Sequence, residues 1–363
     1  DEHHFAALVG LAEAYGATAR GQEALRLYEL AAEQGALTVP QLSHMGQLFL
    51  AQQEWDQAAD LFEQVLELEP NYLPAMLGMG QIHQHDEAWP EAEALYKEVV
   101  ALDKTVAEAF VGLGNALFAL KQEEAATAAF NQALERDSHC TEALLGHAHL
   151  LLNAGQVDEA KHRYEQVLEL NPQLIAAQVG LAHSYHRQHN WHKAQMLYQQ
   201  VLDTGTPSAE AYAGMGAIYI SLRDAAKAAE AYAQALELEK RPEYYNGLAR
   251  AYTDLERTED AFELYKSSLS LDSHRSDTRC GLAYTLYLAG RKREAIAHYE
   301  RASRLDSKSA APYIGLGRIY FDLGRLFDVI KYYEQALKID ANEAEAYAGL
   351  GRVYTNLGKV EQA

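Results

Sequence analysis

The sequence predicts an all-α solenoid of stacked antiparallel helix pairs, and three observations lead there. A pattern of 34 residues recurs along the 363-residue chain. Within each copy the apolar positions follow the i, i+3, i+4, i+7 spacing of one helix face. Strict two-residue alternation is absent over any long run, and Leu, Ala, Glu and Gln, all strong helix formers, dominate. Two helices this short cannot bury enough apolar surface alone, so each copy must stack on its neighbours.

The clearest copy is Ala310 to Asn342. Tyr313, Leu316, Gly317 and Tyr320 mark one face of a first helix. Asp322-Leu323-Gly324-Arg325 makes the turn, and Val329, Tyr333, Ala336 and Leu337 form the buried stripe of a second helix. Asp340-Ala341-Asn342 is polar and closes the unit. Aligning the chain on this copy gives ten complete repeats, starting near Phe5, Val39, Leu73, Ala107, Thr141, Ile175, Ala209, Pro242, Ser276 and Ala310, with the first helix of an eleventh from Ala344. One step is 33 residues, and the missing residue falls in the turn at Lys240-Arg241-Pro242. A deletion there leaves the helix faces in register with a small local change of angle. Pro70 and Pro172 end second helices.

Each complete repeat has an aromatic at one position of its second helix: Tyr28, Phe62, Tyr96, Phe130, Tyr164, Tyr198, Tyr232, Tyr265, Tyr299 and Tyr333. Four residues earlier stands Ala, except at Val329. In the first helix a small residue recurs, as at Ala12, Gly46, Gly80, Gly114 and Gly317. Small beside large is what interlocking helices require. Two residues before that small position a glycine recurs, for example Gly78, Gly112, Gly180, Gly247 and Gly349, although each costs about 1 kcal/mol in a helix interior. Close helix approach is the expected benefit; a lowered groove floor is the alternative.

A large residue, Leu-Gly three residues on, Tyr three later, then Ala, aromatic and Ala at fixed spacing resembles the tetratricopeptide repeat family. Tyr313, Leu316, Gly317, Tyr320, Tyr333 and Ala336 match directly, and Val329 departs from the usual Ala without changing the packing type. The resemblance covers essentially the whole chain. It implies a right-handed superhelix forming a single array over residues 1–363, cut within a repeat at Asp1 and at Ala363. It also implies that first helices line a concave groove and second helices form the convex surface. One groove row then holds Glu13, Gln47, Gln81, Asn115, His149, His183, Ala217, Arg250, Tyr284, Arg318 and Arg352. A second row, three residues further on, holds Gly16, Leu50, Gln84, Phe118, Leu152, His186, Ile220, Thr253, Tyr287, Phe321 and Thr355.

The groove candidates are Arg250, Tyr284, Tyr287, Arg318, Phe321 and Arg352, which suit carboxylates and apolar side chains, with Asn115, His149, His183 and His186 upstream. Pairing of these arginines with acidic neighbours in adjacent repeats is the alternative reading. The positions where a chaperone-tail clamp needs Lys, such as Val9, Leu77 and Ile314, are never basic, so that ligand is not expected. Gly-Leu-Gly strings lack the strand and third glycine of a dinucleotide fingerprint. The histidines lack a complete metal-ligand spacing, so no metal or cofactor is expected, and His147, where other repeats have Leu or Met, reads as a core substitution. No catalytic constellation stands out, and enzymatic activity is not expected.

The net charge of −21 disfavours nucleic acid and anionic membranes as main partners. Residues 1–206 carry 10 Lys+Arg against 29 Asp+Glu, and residues 207–363 carry 21 against 23. The acidic half reads as a solvated outer face, with steering of a basic partner as the alternative. No apolar run approaches the roughly 20 residues of a membrane-spanning helix. Cys140 and Cys280, four repeats apart, are too distant for a disulfide and do not report the compartment, so cytoplasm and periplasm both stay open. The expected function is a non-catalytic protein-interaction scaffold that binds an extended segment of another protein in its groove. The alternatives are head-to-tail self-assembly with copies of itself, and an accessory role in a bacterial export or glycan-processing machine.

Overall fold

The computed structural model describes residues 2–18 and 20–358. The ends at Asp1 and Ala363, where the sequence reading cuts a repeat, lie outside them. The described residues form α-helices joined by short turns, and the chain divides into two compact units, Asp1–Ser184 and Tyr185–Ala363.

Unit 1 contains the pairs α1 (Glu2–Gly16) and α2 (Gly21–Ala32), α3 (Val39–Ala51) and α4 (Trp55–Leu68), and α5 (Leu73–His85) and α6 (Trp89–Leu102). The pairs α7 (Ala107–Ala119) and α8 (Glu123–Arg136), and α9 (Thr141–Asn153) and α10 (Val157–Leu170), follow. The unit boundary falls within α11 (Ile175–Arg187). Unit 2 continues with α12 (Trp191–Asp203), α13 (Ala209–Ser221), α14 (Ala225–Leu238), α15 (Pro242–Asp254) and α16 (Thr258–Leu271). It ends with α17 (Ser276–Leu288), α18 (Lys292–Leu305), α19 (Ala311–Asp322), α20 (Leu326–Ile339) and α21 (Ala344–Asn356). First helices therefore start at the expected residues to within one position from the second repeat onward. The shortened repeat is shortened in the link between α14 and α15, as the sequence reading requires.

All ten second-helix rings are buried, from 0% exposed at Phe62 and Phe130 to 9% at Tyr232. Nine of them, all but Tyr28, share one environment, each meeting a glycine of the following first helix. A Cβ added at Gly78 would lie 2.3 Å from the Phe62 ring, one at Gly112 2.2 Å from Tyr96, and one at Gly180 2.3 Å from Tyr164. In unit 2 the same holds for Gly214 against Tyr198, Gly247 against Tyr232, Gly315 against Tyr299 and Gly349 against Tyr333, at 2.1 to 2.3 Å. The glycine thus seats the ring of the preceding repeat, which decides between the two benefits expected from sequence. Gly10, at the same position of the first repeat, has nothing within 4 Å. In the second repeat His44 replaces the glycine, and its Nδ1 lies 2.7 Å from the Tyr28 hydroxyl.

From the pair α3/α4 to the pair α19/α20, the turn inside each helix pair carries a left-handed residue at a fixed position. Gly155, Gly290 and Gly324 occupy it without strain, whereas Gln53, Glu87, Lys121, His189, Arg223 and Glu256 hold the same conformation at φ between 57° and 63°, where a side chain carries a steric cost.

Candidate binding groove

Some of the first-helix positions named from sequence line cavities within each unit, while Asn115, His149, His183 and Tyr284 are not among the lining residues of the three cavities described below. In unit 1, Gln47, Leu50, Gln81 and Gln84 border a cavity of about 630 Å³ with Trp55 and His85, whose rings stack at 4.0 Å. Gln84 donates from Nε2 to the Gly112 carbonyl at 2.8 Å, tying one repeat to the next. Asn115 is half-buried on α7. His149 is half-buried on α9 and tilts against Tyr164 with ring centres 5.6 Å apart. His183 is half-buried near the end of unit 1. His147 is 6% exposed, with Nδ1 lacking a hydrogen-bond partner; burial, then Arg163, lowers its pKa below the usual histidine value, as suits a core substitution.

In unit 2 a cavity of about 460 Å³ opens between His186, Ala217, Ile220, Tyr232, Arg250 and Asp277. Nε2 of His186 is 3.4 Å from the Ser221 hydroxyl, and burial followed by His189 and Arg187 lowers its pKa. Arg250 is exposed and makes no ion pair among the described residues. At its far end Glu243 and Asp277 both bind Arg275, Asp277 at 2.7 Å. Burial alone would raise the Asp277 carboxyl, but the Arg275 bond holds it below its ordinary range. Burial raises the Tyr232 hydroxyl to about 12, while the Arg250 charge pulls it the other way.

A second cavity, about 410 Å³, lies between Tyr287, Arg318, Phe321, Glu345 and Arg352. Arg318 donates from Nη2 to both Glu345 oxygens at 2.6 and 2.7 Å, with its guanidinium 5.5 Å from the Tyr284 ring centre. The Tyr287 hydroxyl donates to Asp322 at 2.7 Å, and Lys292 approaches the same carboxylate at 3.2 Å. Tyr284 and Tyr287 lie with ring centres 6.4 Å apart. Arg352 is exposed and, like Arg250, has no ion pair among the described residues.

The three arginines are therefore not equivalent: Arg318 pairs with the adjacent repeat, whereas Arg250 and Arg352 make no ion pair among the described residues. Two members of the second groove row do not line the groove. Leu152 and Thr253 are 7% and 5% exposed, and Thr253 donates to the Ala249 carbonyl and meets the Thr285 hydroxyl, each at 2.9 Å. Facing threonines satisfy each other across the repeat interface and so turn inward. Sequence reasoning missed Glu243, Asp277 and Glu345. A signal was present, since an acid recurs immediately after the first residue of the first helix at Glu108, Glu142, Glu210, Glu243, Asp277 and Glu345.

Among the described residues no group of three or more His, Cys, Asp or Glu is placed to hold a metal ion, and no helix is long and apolar enough to cross a membrane. Models of the tetratricopeptide repeat match residues 49–109 and 117–178, and again 87–139, 179–242, 215–276 and 280–328; a further TPR repeat model matches 317–358. The chain belongs to the tetratricopeptide repeat family. Tetratricopeptide arrays as a class mediate protein–protein interaction and scaffolding, and they are typically non-catalytic. Among solved structures, the chain is similar to the APC/C hetero-tetramer Cut9-Hcn1, at 15% identity over 95% of this chain and 75% of that one, with a TM-score of 0.67. It is also similar to a tetratricopeptide repeat protein from Parabacteroides merdae, at 16% identity over 68% of this chain and 98% of that one, with a TM-score of 0.56. At these identities the likeness is one of fold. No curated protein matches the chain.

Proposed function

We propose that this tetratricopeptide chain is a non-catalytic scaffold that holds an extended segment of another protein along its first helices. The supporting observation is the position of the cavities that hold Gln47 and Gln81, Ala217 and Arg250, and Arg318 and Arg352. Each is lined by the same position of two successive first helices, once in unit 1 and twice in unit 2, so each unit by itself offers recesses built on its first helices. Preformed recesses lower the ordering cost of capture.

Site-specific photocrosslinking tests the reading. A photoreactive side chain at Gln81 or Ala217 should label a partner in cell extract, and one at Glu230, exposed on the second helix α14, should not. Labelling from Glu230 alone would overturn it.

A further inference from the structure

We propose that residues 185–363 grip an extended acidic segment at two points, with one carboxylate-bearing side chain in each of two equivalent cavities three repeats apart. This rests on the scaffold reading above and adds the chemistry of the bound segment. The two cavities are built from the same repeat positions. Ala217, Ile220 and Tyr232 of the first correspond to Arg318, Phe321 and Tyr333 of the second, and Gly247 and Arg250 correspond to Gly349 and Arg352. The offset is 101 residues where the shortened link lies between the pair and 102 where it does not. The two arginines without an ion pair thus occupy one position in two copies of one site.

Charge on the rest of each lining is largely committed. In the second cavity Glu345 is taken by Arg318, and Asp322 by Tyr287 and Lys292, which leaves Arg352 as the excess charge. In the first, Glu243 and Asp277 share Arg275 and leave one negative charge over. Glu243 precedes Arg250 by seven residues on α15, or about 10 Å along the helix axis, so it marks the opposite end of the cavity. Tyr232 lines the first cavity together with Arg250, and Tyr333 lines the second together with Arg352. A carboxylate entering either cavity therefore meets a guanidinium and a phenol, both able to donate to it.

The spacing follows from packing. Neighbouring first helices lie about 8–10 Å apart, so three repeats span about 24–30 Å. An extended chain advances about 3.3 Å per residue, which places the two acidic side chains about seven to nine residues apart.

The test is selection of a phage-displayed library of random peptides of about 16 residues on the full chain at low salt, followed by fluorescence anisotropy on the best synthetic peptide. The expected peptides carry Asp or Glu about seven to nine residues apart. Arg250→Gln and Arg352→Gln, which leave exposed positions polar, should each weaken binding roughly tenfold or more. Replacing either acid by its amide should do the same, and each acid should couple to one arginine only in a double-mutant cycle. Peptides indifferent to both arginine substitutions but lost on Ala217→Trp would overturn this proposal and leave the scaffold reading standing. Peptides indifferent to every first-helix substitution, or no enrichment at all, would overturn both.

Discussion

In residues 1–184 the first-helix face presents Gln47, Gln81, Gln84 and Asn115, and the ion pairs Arg20–Glu23, Lys97–Glu93 and Lys161–Asp158 join residues one helical turn apart. In residues 185–363 the same positions carry Arg250, Tyr284, Arg318 and Arg352, and beside one-turn pairs such as Lys227–Asp224 there are ion pairs that reach from one helix pair to the next or to the N-cap of its first helix: Arg241–Glu210, Arg275–Glu243, Lys292–Asp322 and Arg318–Glu345. The first unit holds 8 Lys+Arg against 28 Asp+Glu, and the second 23 against 24. Yet the ring-on-glycine contact is the same in both, Phe62 on Gly78 and Tyr232 on Gly247. Packing positions are fixed by the need to stack, which leaves outward positions free to carry different chemistry in each unit.

That contrast is most directly broken at the rings. Phe130→Ala in unit 1 and Tyr265→Ala in unit 2 should each cost about 3–5 kcal/mol, read as lost amide protection in the two flanking repeats by hydrogen exchange. A clear inequality would mean that the units do not share a packing rule. Gly112→Ala and Gly247→Ala should each destabilise by about 1–3 kcal/mol despite better helix propensity, because the new methyl meets a ring. Gly10→Ala, with open space, should instead gain up to about 1 kcal/mol.

The buried His147 adds a pH dependence to unit 1. Its folded pKa is depressed, so its neutral form is favoured in the native state; that stability is present above the ordinary value of 6.5 and is lost as pH falls below it. Exchange of α9 amides should rise between about pH 7 and pH 5, after correction for intrinsic rates, and His147→Leu should flatten the profile while stabilising by about 1 kcal/mol. Glu256→Gly, relieving a left-handed residue in unit 2, should add up to about 1 kcal/mol in urea unfolding; no gain would mean that its side chain compensates. The smallest effect concerns salt. Raising NaCl from about 20 mM to about 500 mM should slow exchange in unit 1 by screening its self-repulsion, and leave unit 2 unchanged or slightly faster as its inter-repeat ion pairs weaken.

The sequence by itself determined the period, the helix starts, the shortened link at Lys240-Arg241-Pro242 and the buried rings. These are local properties: the 3.6-residue period and the alternation of small and large side chains are written in consecutive residues. Tertiary structure decided what the recurrent glycines contact, because the Tyr232 ring comes to Gly247 from the preceding repeat. It also decided which arginines are committed. Arg318 finds Glu345 across 27 residues while Arg250 makes no ion pair among the described residues, and that choice depends on side-chain reach between helices rather than on residue type. The equivalence of the two arginine cavities needed both, since the period aligns their residues but only packing shows that each set encloses one space.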